Sequence, residues 1–368
     1  MPVSLAMSRR LRRSFYFGRV EEQGVGACTV YNHMLLPAVF RSLEEDYRHL
    51  VAHVQLWDVG CERQVELRGP DAARLAQLMT PRDVGRAVAG QCLYAPLVDA
   101  GGFMVNDPVV LKLAEDRFWL SIADSDVLLW ARGLAWGLGL DVAVREPDVC
   151  PLAVQGPKSD DVMAAVFGEA VRAIRFFRFA WLEFRGHPLI VARSGWSKQG
   201  GFEVYADDPA VGVALWDALW AAGQPFNIGP GCPNLIERVE SALLSYGTDM
   251  LPGDTPFECG LDRYCNLDRP TEFLGRAALE TAVAAGISRK LRGLRFAGPP
   301  CPPVTMAWPV QGGGRRIGDV RSAVWSPGLD TNIAIAMIDR AFWPAGSHVE
   351  VETPGGACPA TVGDLPFV

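Results

Sequence analysis

The sequence predicts an α+β fold in which one α+β layer occurs twice and a small all-β domain follows. Three observations predict it. The first is an internal echo. Val65-Glu66-Leu67-Arg68-Gly69-Pro70-Asp71 runs into the apolar-periodic stretch Ala72 to Met79, and Leu152-Ala153-Val154-Gln155-Gly156-Pro157-Lys158 runs into Ser159 to Phe167. Each copy reads as strand, Gly-Pro turn and helix with Pro at its opening, and two copies are a duplication rather than a solenoid. The second is a pair of strand candidates after each copy. Val109 to Leu113 and Phe118 to Ala123 bracket Glu115-Asp116, and Leu182 to Phe184 and Leu189 to Ala192 bracket Arg185-Gly186-His187-Pro188. The third is a change of texture after about Ala284, where Gly298 to Pro303 holds four prolines in six residues and Gly312 to Gly314 is a glycine run. We therefore divide the chain into 1–283 and 284–368.

Taken in order, the elements begin with a basic cluster, Arg9, Arg10, Arg12 and Arg13. No apolar run of signal-peptide length follows it, so it reads as a loosely ordered arm. Ser42 to His53 reads as a helix, with Ser42 and Glu45 as a capping box and Leu43, Tyr47, Leu50, Val51 and Val54 at helical spacing. Further helices are predicted at Ser125–Trp136, Pro209–Ala222 and Asn234–Tyr246. The tail offers short β-prone pieces, Leu291–Phe296, Ile317–Ser322, Ile333–Ile338 and His348–Glu352.

Composition narrows the function. A chain of 368 residues has room for two or three domains, and 49% hydrophobic with 21% charged residues is ordinary for a globular protein with a core. The formal charge of −7 argues against a nucleic-acid partner. No apolar run approaches the length of a membrane span. Nine scattered cysteines, without a C-x-x-C pair, fit reduced thiols in a cytoplasm better than disulfides or a zinc site. His49 and His53 are four apart on the first helix, but no Glu follows His49 as in a metalloprotease, so a solvated helix face is favoured over a metal.

Common catalytic signatures are missing: there is no G-x-S-x-G elbow, no P-loop and no opening G-x-G-x-x-G, which disfavours nicotinamide and flavin enzymes. Gly229-Pro230-Gly231-Cys232-Pro233 opens a helix and is either an anion site or a plain loop, since both prolines remove donors. Two stretches stand out. In Tyr94 through Leu111, Gly101-Gly102 turn between apolar strands and Asn106-Asp107 sit where a strand restarts. In Arg193 through Tyr205, three glycines in seven residues allow close backbone approach to a ligand, and Trp196 and Tyr205 offer aromatic faces. Glu203 faces opposite Phe202 and Val204 if the three share a strand. It is either a ligand-binding carboxylate or an exposed hairpin residue, just as Asp107 is either reactive or a turn cap.

With these stretches quoted, the chain resembles the aminomethyltransferase (glycine-cleavage T-protein) family along nearly its whole length. The resemblance rests on Leu56-Trp57-Asp58-Val59, Gly69-Pro70-Asp71-Ala72, Gly90-Gln91 with Tyr94, Gly101-Gly102 through Asn106-Asp107, Gly200-Gly201-Phe202-Glu203 and Arg238-Val239-Glu240. Four longer blocks, Tyr31 to Pro37, Ser121 to Val127, Ser194 to Gly201 and Gly229 to Gly247, point to a branch that takes a methyl group from dimethylsulfoniopropionate. The resemblance implies a three-domain clover-leaf of two related α+β domains and a C-terminal β-barrel, with tetrahydrofolate in the hole between them, and a homodimer. It implies Glu203, Trp196, Tyr205, Tyr94 and Ser121 as folate-binding residues. It further implies Tyr31, Trp196 and Tyr205 at the small-molecule substrate, and Asp107 with Asn106 as the catalytic pair.

The departures matter as much. T-proteins carry two aspartates where this chain has Asn106-Asp107, Asp-Val-Ser-His-Met where it has Asp58-Val59-Gly60-Cys61-Glu62, and Ala-Arg-Asp where it has Pro233-Asn234-Leu235. They argue against glycine cleavage itself, and the last removes an arginine expected near the folate tail. The alternatives are another folate-dependent one-carbon transferase, aminomethyl- or methoxy-transferring, and a non-catalytic folate-binding factor. Against the latter, Trp196-Ser197-Lys198-Gln199 stands where such factors carry a cysteine motif. A flavin-linked relative would need a further nucleotide-binding domain.

Overall fold

The two turn glycines of the echo adopt the same unusual backbone for the same reason. Gly69 has φ +141° and Gly156 φ +123°. A Cβ on Gly69 would lie 2.7 Å from the Asp141 carbonyl oxygen, and one on Gly156 would lie 2.3 Å from that of His53. Only glycine lets each strand end that close to a neighbouring segment. Pro70 and Pro157 sit one residue ahead of the N-caps Asp71 and Lys158, not at the helix opening as expected, because the Gly-Pro pair is used to leave the strand.

In the computed structural model, which describes residues 5–368, the echo units lie in different sheets. Gln64–Arg68 joins a five-stranded sheet with Ala143–Arg145, Arg117–Ser121, Val109–Ala114 and Gln91–Tyr94. Cys150–Gln155 lies inside a six-stranded sheet, between Gly201–Ala206 and Val54–Asp58. Val54–Asp58 comes before Gln64–Arg68 in the chain but belongs to the later unit's sheet, so the two layers interleave. The crossing from one sheet to the other is the short turn at residues 59–63.

Alternation assigns the faces of the six-stranded sheet. Leu152, Val154, Phe202 and Val204 pack with Val162, Met163, Leu215 and Leu219 of the covering helices Ser159–Phe167 and Pro209–Gly223. Each such burial contributes about 1.5–3 kcal/mol. Glu203 and Tyr205 point the other way, toward the five-stranded sheet, where Cys92, Leu111 and Trp119 meet Ile190, Ala192 and Tyr205. The third lobe is a closed six-stranded barrel. Its Leu291, Val324, Ile333, Ile335 and Met337 pack on Ile236, Val239, Tyr246 and Met250. The expected three-lobed α+β clover-leaf with a C-terminal β-barrel is the architecture found.

Several local expectations need correction. The N-terminal arm is docked, not loose, from Arg12 onward. Arg12 pairs with Glu146 and donates to the Asn32 carbonyl, and Tyr16, Phe17 and Val20 are core residues of the helix region Phe17–Glu22. The helix expected at Asn234–Tyr246 spans only Leu235–Glu240. It ends in a Schellman arrangement, with Ala242 N–H bonding the Val239 carbonyl and Leu243 N–H the Arg238 carbonyl. Ala242 takes φ +52° in the place usually held by glycine, which hid the stop from the sequence. Two barrel strands, Trp308–Gly312 and Gly356–Gly363, were not foreseen, because Pro309, Pro359 and their glycines read as loop. Among the described residues no helix is long and apolar enough to cross a membrane.

Candidate active site

The three lobes meet around a cavity of about 370 Å³. Each of the four longer blocks supplies part of its wall: Tyr31 from the first, Ser121 and Asp124 from the second, Trp196 from the third, Arg238 and Gly247 from the last. Asp107, Tyr94 and Glu203 also face it.

Glu203 reaches the cavity because its strand alternates, with Phe202 and Val204 in the core behind. It is 6% exposed, so the exposed-hairpin alternative fails. Ser194 Oγ at 2.6 Å and Tyr205 OH at 3.1 Å both donate to its Oε2. Among the described residues nothing donates to Oε1, which is left for a ligand. Burial raises the carboxyl's pKa, and the two hydroxyls oppose that rise. Tyr205 itself is behind the wall, 2% exposed with its ring near Trp119. It is a residue that holds Glu203 rather than the lining aromatic expected.

Asp107 lies in the break between Met104–Asn106 and Val109–Ala114. Tyr94 OH donates to its Oδ2 at 2.8 Å, while Oδ1 is buried without a partner. Desolvation pushes its pKa up to about 7, against the Tyr94 hydrogen bond and aided by Asp249. It caps no turn through its side chain. Asn106 does not join it. Its amide donates to the Ala123 carbonyl at 3.0 Å and Ser125 Oγ at 2.8 Å and accepts from Ala123 N–H at 3.0 Å. With every polar atom engaged and the residue fully buried, Asn106 ties two wall segments together rather than facing the reaction space.

Ser121 faces the cavity as expected and accepts from Gln64 Nε2 at 2.9 Å. Trp196 lines it too, with the Arg238 guanidinium 5.9 Å from its ring centroid. The glycines around Trp196 serve packing more than ligand approach. A Cβ at Gly195 would fall 2.0 Å from Gln155 Nε2, and one at Gly201 would fall 2.4 Å from the Val154 carbonyl oxygen. The Gly229 stretch is a strand, Ile228–Gly231, paired with Val54–Asp58, and Asn234 Oδ1 caps the following helix, so the plain structural alternative holds there. His49 packs on Gly229, and His53 lies 3.2 Å from Lys158 Nζ. Among the described residues no group of three or more His, Cys, Asp or Glu is disposed to hold a metal.

Sequence reasoning missed much of the lining, including three residues that differ in the signal they carried. Glu62 was noted only as a departure, Arg238 only as a motif letter, and Phe177 carried no signal at all. Among the described residues Arg238 is the only cationic side chain in the lining, and it is spent on a buried network, donating to Asp249 at 2.7 Å and Ser322 at 2.6 Å. The wall is thus acidic, with Glu62, Asp107, Asp124 and Glu203.

Residues 16–269 match the GCVT N-terminal domain and residues 289–368 the glycine cleavage T-protein C-terminal barrel domain. The chain belongs to the glycine-cleavage T-protein family. Within it, this T-protein relative is 54% identical over 359 residues to dimethylsulfoniopropionate demethylase DmdA of Ruegeria pomeroyi, covering 98% of both chains. It is 31% identical over 346 residues to an aminomethyltransferase of Symbiobacterium thermophilum, covering 90% of this chain and 91% of that one. Its fold matches the glycine cleavage system aminomethyltransferase T from Bartonella henselae with TM-score 0.86 at 23% identity, over 97% and 98% of the two chains.

Proposed function

We propose that this T-protein family member demethylates dimethylsulfoniopropionate, transferring one S-methyl group to tetrahydrofolate to give 5-methyltetrahydrofolate and 3-(methylthio)propionate. The observation that carries the reading is the acidic, aromatic-edged cavity without a free cation, walled by the four blocks that resemble this branch. The 54% identity to the Ruegeria pomeroyi demethylase over nearly all of both chains supports it. Tetrahydrofolate, when bound, supplies the nucleophilic N5.

The chain's residues do the rest. Glu203 Oε1, free of protein donors, suits the amide and amino N–H edge of a pterin, with Ser194 and Tyr205 fixing the carboxylate from behind. Tyr94, Ser121 and Trp196 border the same space. Tyr31 and Trp196 offer aromatic faces to the sulfonium, each worth about 0.5–2 kcal/mol. The departing thioether is neutral and needs no proton. The only proton to move is the one N5 loses as it gains the methyl group, and Asp107 Oδ1 is the acceptor we assign. One carboxylate therefore suffices, and Asn106 is left to structure. Holding donor and acceptor in line supplies most of the acceleration, and exclusion of water favours the dispersing charge.

The test is to incubate the protein with tetrahydrofolate and dimethylsulfoniopropionate and to seek methylated folate by mass. Turnover only with an aminomethylated carrier protein would favour an aminomethyltransferase. Folate binding without turnover of any donor would favour a binding factor. The proposal also places the chain in the cytoplasm, in keeping with nine unpaired cysteines. It includes a homodimer, supported by the family resemblance and tested by sedimentation.

A further inference from the structure

The reaction described above leaves two cavity carboxylates without work, and of these Asp124 already accepts the Asn32 N–H at 2.7 Å, whereas Glu62 is unengaged. It sits in the turn that carries the chain from the six-stranded to the five-stranded sheet. That turn is held from several sides. Glu62 N–H bonds the Val59 carbonyl at 2.9 Å, Gln64 Nε2 donates to the Glu62 carbonyl at 2.8 Å, and Asn32 Nδ2 donates to the Cys61 carbonyl at 3.0 Å. Asp58 braces the same turn through Gly60 N–H at 3.1 Å. The backbone is fixed, yet the carboxyl it presents to the cavity takes no hydrogen bond and no ion pair from any described residue.

Glu62 is half-buried, and a carboxylate turned into an acidic cavity without a partner carries a cost that a cation would relieve. The protein provides none here. Arg238 is committed to Asp249 and Ser322, and the other titratable groups lining the cavity with Glu62 are Glu203, Asp107, Asp124, the hydroxyls of Tyr31, Tyr94 and Tyr246 and the Cys61 thiol, none of them a cation. Asp107 Oδ1, buried and unpartnered, adds to the same deficit. We infer that Glu62 recognises the sulfonium of the donor, selecting a positively charged methyl donor over a neutral molecule of the same shape. The inference rests on the proposed reaction. In the empty cavity, burial and the neighbouring Glu203 and Asp107 hold the Glu62 carboxyl above its usual range. A bound sulfonium favours the ionised carboxylate over the protonated one, so donor binding tightens as pH rises through the raised range of this group.

In methyl transfer the positive charge moves away from sulfur, so a carboxylate at the sulfonium stabilises the bound donor at least as much as the transition state. Its loss should appear in KM and not in kcat. For Glu62→Gln we expect the KM for dimethylsulfoniopropionate to rise at least about tenfold, with kcat within about threefold and folate affinity unchanged. The discriminating probe is 4-methylpentanoate, in which carbon replaces the charged sulfur. Calorimetry on the full-length protein with folate bound should show the preference for the sulfonium over this neutral isostere collapsing at least about tenfold in the variant. Glu62→Asp should restore part of it, and Glu62→Met should behave as Glu62→Gln and serve in its place if that variant does not fold. An unchanged preference, or a folate Kd that rises while donor binding holds, overturns the inference. Because binding is read apart from turnover, charge-selective binding without methyl transfer would instead overturn the proposed reaction.

Discussion

Two walls of the cavity hold their carboxylates in different ways. Glu203, on a central strand, has one oxygen clamped by two hydroxyls and the other aimed at the ligand space. Asp107, in a break between strands, has one oxygen bonded to Tyr94 and the other buried with nothing to bond. A doubly held carboxylate keeps its position, which suits a fixed contact to a ligand. A carboxylate with a bare oxygen and a pKa pushed up to about 7 gains and loses a proton readily near neutral pH. In the proposed reaction one wall binds and the other exchanges protons.

The largest expected effect breaks the second half of that contrast. Asp107→Asn keeps shape and hydrogen bonding but cannot take a proton. The rate of methyl transfer should fall by roughly 10²–10⁴, the range for a lost general base, with folate affinity within a few-fold. In the parent protein the acceptor must be ionised. The single-turnover rate should therefore fall as pH drops below about 7 and level off above it, in line with the raised pKa of Asp107. Asp107→Asn should lose that acid limb. A limb that survives in the variant assigns the titration to another group.

Next in size is Glu203→Ala, which removes a charged acceptor from a buried contact. Such hydrogen bonds are worth about 1.5–3 kcal/mol, so folate Kd should rise roughly 10- to 150-fold in a fluorescence titration. Unchanged affinity would take Glu203 out of the site. The turnover rate at saturating folate should change much less than in Asp107→Asn. Equal losses of kcat in both variants would erase the distinction between the walls.

How much of this was legible depends on whether a residue's role is local. The echo, the hairpins and the outward turn of Glu203 follow from periodicity and turn chemistry within a few residues, and the structure has them. The pairing of Asn106 with residues 123–125 is seventeen or more positions away in sequence, and nothing about Asn106 alone announces it. Tyr205 was read as a pocket aromatic because it neighbours Glu203 on the same face, but the second sheet covers that end and buries it against Trp119. Glu62 lies in a turn between sheets, and that it is unpartnered is visible only once the three lobes are assembled around it. The stop after Glu240 was hidden by Ala242 standing where glycine usually marks a helix end.

The two tyrosines that support the carboxylates sharpen the contrast with the smallest changes. Tyr94→Phe removes the donor that holds the Asp107 pKa down, so the acid limb should move to higher pH. At pH 7 the rate should drop roughly 7- to 80-fold, as for one lost hydrogen bond to a charged group of about 1.5–3 kcal/mol, and return toward the parent value in more alkaline buffer. Tyr205→Phe also takes away one hydroxyl, but from a carboxylate that Ser194 still holds at 2.6 Å and that moves no proton in the reaction. Folate Kd should rise only about two- to fivefold, and the limb near pH 7 should stay where it is. If the Tyr205 variant shifted the limb and the Tyr94 variant did not, the proton-exchanging group would be Glu203, and the roles given to the two walls would have to be reversed.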